Sequence, residues 1–219
     1  MAIIYPALNG TDITSIRSSL EQLDPVVQGY HIDVMDGVFV PNMTWGVAGV
    51  NVIASQSMRT AHWVHLMVRD PLLYVPSFLL AGGSIVTFHI ESECDPKRVI
   101  DFIREKKYKP SIAINPKTAV EKVFPFAHLV DQILIMSVEP GHSGQDFLPE
   151  VVKKIELLAG YRATSSLDFR IGIDGGITAE NIKSLAEKGV DDFAVASALF
   201  ASPDPVQAFA ILKERISSK

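Results

Sequence analysis

Short apolar runs of β type alternate with helix signals along this whole chain, and that alternation most restricts its fold. The runs fall at residues 3–5, 29–33, 63–67, 84–89, 111–114, 132–136, 170–174 and 193–196. Thr11 is placed to cap a helix on which Ile13, Ile16, Leu20 and Leu23 share one face. Asp70-Pro71, Asp95-Pro96 and Asp204-Pro205 each pair a capping carboxylate with a proline suited to a first helical turn. After Asp95, residues Val99, Phe102 and Ile103 form an apolar face. In the stretch 149–158, Val151, Val152, Ile155 and Leu158 do the same. Thr178 opens a further helix, and Gly189 ends it.

Eight such alternations in 219 residues, with no linker or low-complexity stretch, predict an α/β fold. The expected architecture is a single (β/α)8 TIM barrel spanning residues 1–219. A doubly wound open sheet would want a glycine-rich fingerprint after its first strand, and Gly10 alone does not supply one.

Composition narrows the partners. A 47% hydrophobic chain has ample core material, and a net charge of −5 gives no general attraction to nucleic acid or an anionic membrane. No apolar run reaches membrane-spanning length, and the first residues lack the basic and apolar regions of a signal peptide. Cys94 is the one cysteine, so an intramolecular disulfide is impossible, which fits a reducing compartment. A cytoplasmic location is expected.

Three strand ends carry chemistry. They are His31-Ile32-Asp33-Val34-Met35-Asp36-Gly37, Val64-His65-Leu66-Met67 and Ile171-Gly172-Ile173-Asp174-Gly175-Gly176. His31 and Asp33 are two apart on a strand and so point to one side. In a barrel, the C-terminal strand ends form the mouth where chemistry sits. His31, Asp33, His65 and Asp174 therefore make a candidate site for one divalent metal ion, and their ligand types suit zinc, manganese or iron(II). Asp33 and Asp174 are also available to move protons. Each residue alone reads more simply as a core histidine or a turn residue, and the shared register is what favours a site. Asp36 fits best as a brace for the turn at Gly37. Met35, Met67 and Met136 are expected to surround the site with soft, polarizable thioethers. His89, Glu91 and Asn115-Pro116 end neighbouring strands and fit the mouth or a structural role equally, whereas His62 and His128 carry no signal. The stretch 38–44, with Trp45, is expected to form a loop over the mouth.

A second constellation is built on glycine. Glu139-Pro140-Gly141-His142-Ser143-Gly144-Gln145 follows the sixth run, Gly175-Gly176 the seventh and Ala196-Ser197 the eighth. These loops hold no Lys or Arg, yet backbone N–H groups bind phosphate without one. Barrels often build a phosphate site from the loops after strands seven and eight. Gly141, His142, Ser143, Gly144, Gly175, Gly176, Ala196 and Ser197 are thus candidate phosphate-binding residues.

Over essentially its whole length the chain resembles the ribulose-phosphate 3-epimerase family. The matching pieces are 31–37 with Phe39-Val40-Pro41-Asn42, His65-Leu66-Met67-Val68, Asn115-Pro116, 136–141, Gly144-Gln145, 174–177 and 197–200. The resemblance implies that Asp33 and Asp174 are the acid/base pair, and that His31, Asp33, His65 and Asp174 bind the metal. It implies removal of the C3 proton of a ketose 5-phosphate, a metal-stabilised cis-enediolate, and reprotonation on the other face. The expected partners are a small sugar phosphate and further copies of the chain in a homo-oligomer.

Three positions depart from the family pattern. A Ser in a Pro-Ser-Ile-Leu-type start is replaced by Ala7. A Pro-Gly-Phe-Gly-Gly loop has His142 and Ser143 in place of Phe and Gly. A Gly-Ser pair reads Ala196-Ser197. These bear on substrate identity more than on reaction type. A 3-epimerase of another ketose phosphate, such as a hexulose 6-phosphate, is the neighbouring expectation, and a non-catalytic sugar-phosphate-binding barrel is the more distant one. The Asp-x-Lys-x-x-Asp motif of phosphate-binding decarboxylases is absent, because Met35 stands where its Lys would be.

Overall fold

In the computed structural model, residues 2–8, 13–57, 61–80 and 82–217 are described. Eight parallel strands close into a barrel in sequence order, with β1 pairing β8. They are β1 Ile3–Leu8, β2 His31–Met35, β3 Trp63–Met67, β4 Ile85–His89, β5 Lys109–Ile114, β6 Gln132–Met136, β7 Arg170–Asp174 and β8 Asp192–Val195. The α-helices are α1 Ile13–Leu23, α2 Gly46–Gln56, α3 Pro96–Glu105, α4 Val152–Thr164, α5 Ile182–Glu187, α6 Ser197–Phe200 and α7 Pro205–Ser217. No described helix is long and apolar enough to cross a membrane.

The period of two along each strand divides the residues into an outer and an inner set. Ile32, Val34, Val64, Leu66, Val86, Phe88, Ile133, Ile135, Ile171 and Ile173 face outward and pack with the helices. Tyr5, Ala7, Trp63, Ile85, Ala113, Leu134, Met136 and Ala194 fill the interior. This parity turns His31, Asp33, Met35, His65, Met67, His89 and Asp174 inward. Asp33 lies opposite His65, and Met136 opposite Asp174.

Trp63 fills the barrel beneath these residues. It is fully buried, and its indole N–H donates to Thr87 Oγ1 at 2.7 Å. Tyr5 and His31 stand edge-on to it, with centroids 5.4 and 4.4 Å away. Gly172 is glycine because a Cβ there would lie 2.9 Å from the Trp63 ring. At the lower end, Arg170 Nε and Gln132 Nε2 both donate to Asp192 Oδ2 at 2.8 Å, and Ser111 Oγ donates to Gln132 at 2.9 Å. A buried carboxylate is thereby paired and fully hydrogen-bonded, as burial requires.

Several elements differ from the sequence expectation. The second strand runs over 31–35, not 29–33, so His31 begins it. Asp70 does cap a turn by accepting from Leu72 N–H at 3.0 Å, but only 3-10 turns follow it. Pro76 accounts for the break, since it lacks the N–H that a continuous α-helix would donate to Leu72 O. The segment after β5 is likewise 3-10 and contains Pro125. The helix from 149 starts as a 3-10 turn and runs on to Thr164. Thr11 lies outside the described residues. Leu20 and Leu23 of α1 are buried as expected. Thr178 Oγ1 accepts from Glu180 N–H at 3.2 Å one turn ahead of α5, and Gly189 ends that helix with a φ of 105°.

His62, which carried no signal in the sequence, is buried. Its Nδ1 accepts the Tyr30 N–H at 3.4 Å, and its Nε2 has no partner. Burial lowers its pKa to about 4, against about 6.5 in an unfolded chain. Between those values the unfolded chain binds more protons, so the stability present above about 6.5 is lost as pH falls through the window. The wild-type Tm should drop by several degrees between about pH 7 and about pH 5. His62→Asn keeps an acceptor for Tyr30 and should flatten that drop; equal slopes for the two proteins would rule the account out.

Candidate active site and metal centre

The inward parity of β2, β3 and β7 brings four side chains to one spot below the barrel mouth. His31 Nε2 lies 3.0 Å from Asp33 Oδ1 and 3.6 Å from Asp174 Oδ2. His65 Nδ1 lies 3.1 and 3.5 Å from the same two oxygens. One ligand atom from each of the four residues falls within 4.8 Å of all the others. Donors arranged tetrahedrally at about 2.0–2.2 Å from an ion are about 3.3–3.6 Å apart, so these four fit around a single divalent cation.

The electrostatics agree. Both imidazoles are wholly buried, and burial opposes their charged form. Asp33 and Asp174 overcome that and raise His31 to about 9 and His65 above its usual value. Burial also opposes ionisation of the two carboxyls, but the imidazoles hold both below the ordinary range. A buried carboxylate beside a partly buried one thus demands positive charge between them, which protons or a metal ion supply.

The cleft above this spot is lined by Asp33, Asp174, Met35, Met67 and Met136, and by the loops holding Gly141, His142, Ser143, Gly144, Gly175, Gly176, Ala196 and Ser197. Every candidate carboxylate, thioether and phosphate-loop residue therefore faces one space. His31 and His65 lie beneath its floor, fully buried. Ala7 also lines the cleft, at the position of the missing hydroxyl. Among the described residues, the lining contains no Lys or Arg.

Neither sequence departure falls where a left-handed φ demands glycine. Among the described residues, only Lys107 and Ser166 are non-glycine positions with positive φ, so His142 and Ser143 need no glycine. Ala196 likewise has a negative φ, −107°.

The stretch 38–44 packs beside the cleft. Val40 and Phe39 pack with Met35 and Met67, and Asn42 Nδ2 donates to Gly141 O at 2.6 Å. Asp36 braces the turn by accepting from Val38 and Phe39 N–H at 2.8 Å and from Arg69 N–H at 2.7 Å. Trp45 departs from the expectation. It immediately precedes α2 and packs against the outer core.

His89 and Glu91 were ambiguous in sequence. Neither lines the cleft. His89 is buried behind His65, Nε2 to Nε2 at 2.8 Å, and its Nδ1 lies 3.2 Å from Glu91 Oε2. Burial pushes His89 down to about 4, so it is neutral. The signal available in sequence was the His-x-Glu pair that closes β4, with His89 its last residue and Glu91 in the turn beyond.

Comparison with known proteins adds an independent line. A profile of the Ribulose-phosphate 3 epimerase family matches residues 3–200. The chain is 39% identical over 185 residues to Ribulose-phosphate 3-epimerase of Mycobacterium leprae (strain TN), covering 84% of this chain and 82% of that one. It is 36% identical over 203 residues to the Escherichia coli (strain K12) protein of the same name, covering 92% and 90%. In fold it is similar to a solved 3-Hexulose-6-Phosphate Synthase, with a TM-score of 0.74, 12% identity and coverage of 98% and 100%. It is likewise similar to 3-keto-L-gulonate-6-phosphate decarboxylase from Vibrio cholerae, with a TM-score of 0.74, 15% identity and coverage of 98% and 97%. At such identities these structures bear on the fold alone.

Proposed function

We propose the activity from one premise: the chain belongs to the ribulose-phosphate 3-epimerase family. It interconverts D-ribulose 5-phosphate and D-xylulose 5-phosphate. The observation that carries this is the placement of Asp33 and Asp174 on the floor of one cleft, each within 3.6 Å of the same two imidazoles. One carboxylate takes the C3 proton from one face of the sugar. The electron pair passes toward the C2 oxygen, giving a planar enediolate. The other carboxyl returns a proton to C3 from the opposite face, inverting the centre. In the reverse direction the two groups exchange roles.

His31, Asp33, His65 and Asp174 would hold zinc, manganese or iron(II). Such an ion would supply positive charge where the enediolate oxygens develop negative charge. The three methionines exclude water from the reacting carbon and put polarizable sulfur beside it. The loops 141–144, 175–176 and 196–197 grip the phosphate mainly through backbone N–H groups, with Ser197 and Ser143 adding hydroxyl donors.

The test is an NMR assay in D₂O with ribulose 5-phosphate. Deuterium should enter C3 as xylulose 5-phosphate forms. Metal analysis should find about one equivalent per chain, for a single four-ligand site, and chelation should stop turnover until metal is restored. Tight sugar-phosphate binding with no deuterium at C3 would leave a non-catalytic barrel instead. Because Ala7 takes a hydroxyl from the cleft, the assay is run beside a hexulose 6-phosphate, and faster turnover of that sugar would reassign the substrate within the same chemistry.

A further inference from the structure

We propose that His89 and Glu91 are positioning residues that fix the ring and tautomer of His65, so that its Nδ1 lone pair faces the metal position. This rests on the metal reading above.

The argument runs inward from the carboxylate. Glu91 Oε1 accepts the Asn115 N–H at 2.9 Å and the hydroxyl of Thr118. Its other oxygen faces His89 Nδ1 at 3.2 Å. A carboxylate only accepts, so His89 Nδ1 carries a proton and donates it. His65 Nε2 lies 2.8 Å from His89 Nε2, and two ring nitrogens so close need one proton between them. A metal facing His65 Nδ1 requires a lone pair there, so the proton of that ring sits on Nε2, which donates to His89 Nε2. The remaining nitrogen of His65, Nδ1, is left with a lone pair aimed at Asp33 and Asp174, 3.1 and 3.5 Å away. A lone pair facing two carboxylates is stable only with a cation among them.

Lys154 secures the outer end of the chain. Its Nζ donates to Asn115 O at 2.9 Å and to Thr118 O, holding the loop that donates to Glu91. His31 offers the contrast. Its Nδ1 is buried with no partner, and its ring is oriented by packing edge-on to Trp63. One histidine of the site is thus oriented by a hydrogen-bond chain and the other by packing.

Removal of such an outer partner typically weakens metal binding by about 10–100-fold. The metal-free protein is titrated with Zn²⁺ against a chromogenic chelator. Glu91→Gln should bind zinc about 10–100-fold more weakly than wild type while its metal-free Tm stays within a few degrees. In zinc-loaded, ¹⁵N-histidine-labelled wild type, long-range ¹H–¹⁵N spectra should show His65 protonated at Nε2 and His89 at Nδ1. If Glu91→Gln does not fold, Thr118→Val removes one donor to Glu91 at near-constant volume and should weaken zinc severalfold. Unchanged zinc affinity in a folded variant, or a His65 proton on Nδ1, overturns the proposal. A wild type that takes up no zinc, manganese or iron(II) overturns the metal reading itself, which is a different result.

Discussion

Asp33→Asn and Asp174→Asn should each leave the barrel folded and lower turnover by roughly 10²–10⁴-fold, the usual contribution of a positioned proton carrier. Asn keeps the size of Asp but its amide cannot take a proton from carbon. Each change also removes a charge that holds the buried imidazoles, so metal content must be measured in both variants before the kinetics are read. Two separate carboxylates then make a sharper demand. With one lost, the other can still remove the C3 proton from its own epimer and return a deuteron to the same face. Each variant loaded with metal should therefore exchange C3 of one epimer, a different one for each, without converting it. A single swinging base would leave one variant inert and the other nearly normal, and that pattern would reject the two-carboxylate mechanism.

The part of this site legible in sequence was what lay on single strands. His31 and Asp33 are two apart, so any strand through them turns both the same way, even though the expected strand began two residues early. The barrel itself was legible because its outward faces are near-continuous Ile and Val. Helix α2, GVAGVNVIASQ, was not legible, since it has two glycines and no charged face to mark a period. The Asp70-Pro71 start misled because a cap signal says nothing about a second proline five residues later. Groups joined only by folding were also hidden. Gln132 and Asp192 are 60 residues apart, and their hydrogen bond leaves no local trace. His89 and Glu91 were readable together at the end of β4, open to the mouth or a structural role, but their link to His65 on β3 leaves no local trace.

Gly176→Val should raise the KM for ribulose 5-phosphate at least tenfold while leaving metal content unchanged. Gly176 has a φ of 61°, a conformation that a β-branched residue strongly resists. A side chain here would also crowd the phosphate for which the sequence marks this glycine as a candidate. The structure adds a nearer obstacle, since a Cβ on Gly176 would lie 2.4 Å from Phe147 N and 2.6 Å from its Cα. Those are backbone atoms and cannot swing aside, so the segment leading back to Gly141 must move. That segment is tied down at several points. Gln145 Nε2 donates to Glu139 O and His142 O at 2.7 and 2.8 Å, and Asn42 holds Gly141 O. Asn181 Nδ2 holds Gly176 O at 2.8 Å, and Ser137 Oγ holds Gly175 O at 2.6 Å. Shifting one loop therefore disturbs the backbone donors of both. The proposed metal ligands sit on β2, β3 and β7, so metal affinity is the internal control. Binding energy from the distant phosphate positions the reacting carbon, and unphosphorylated ribulose should lose much of kcat/KM even with wild type. Gly176→Val should then shrink the gap between the two sugars, because it damages the site that distinguishes them. Equal processing of ribulose and ribulose 5-phosphate by wild type would remove the phosphate site from these loops, and the proposed substrate with it.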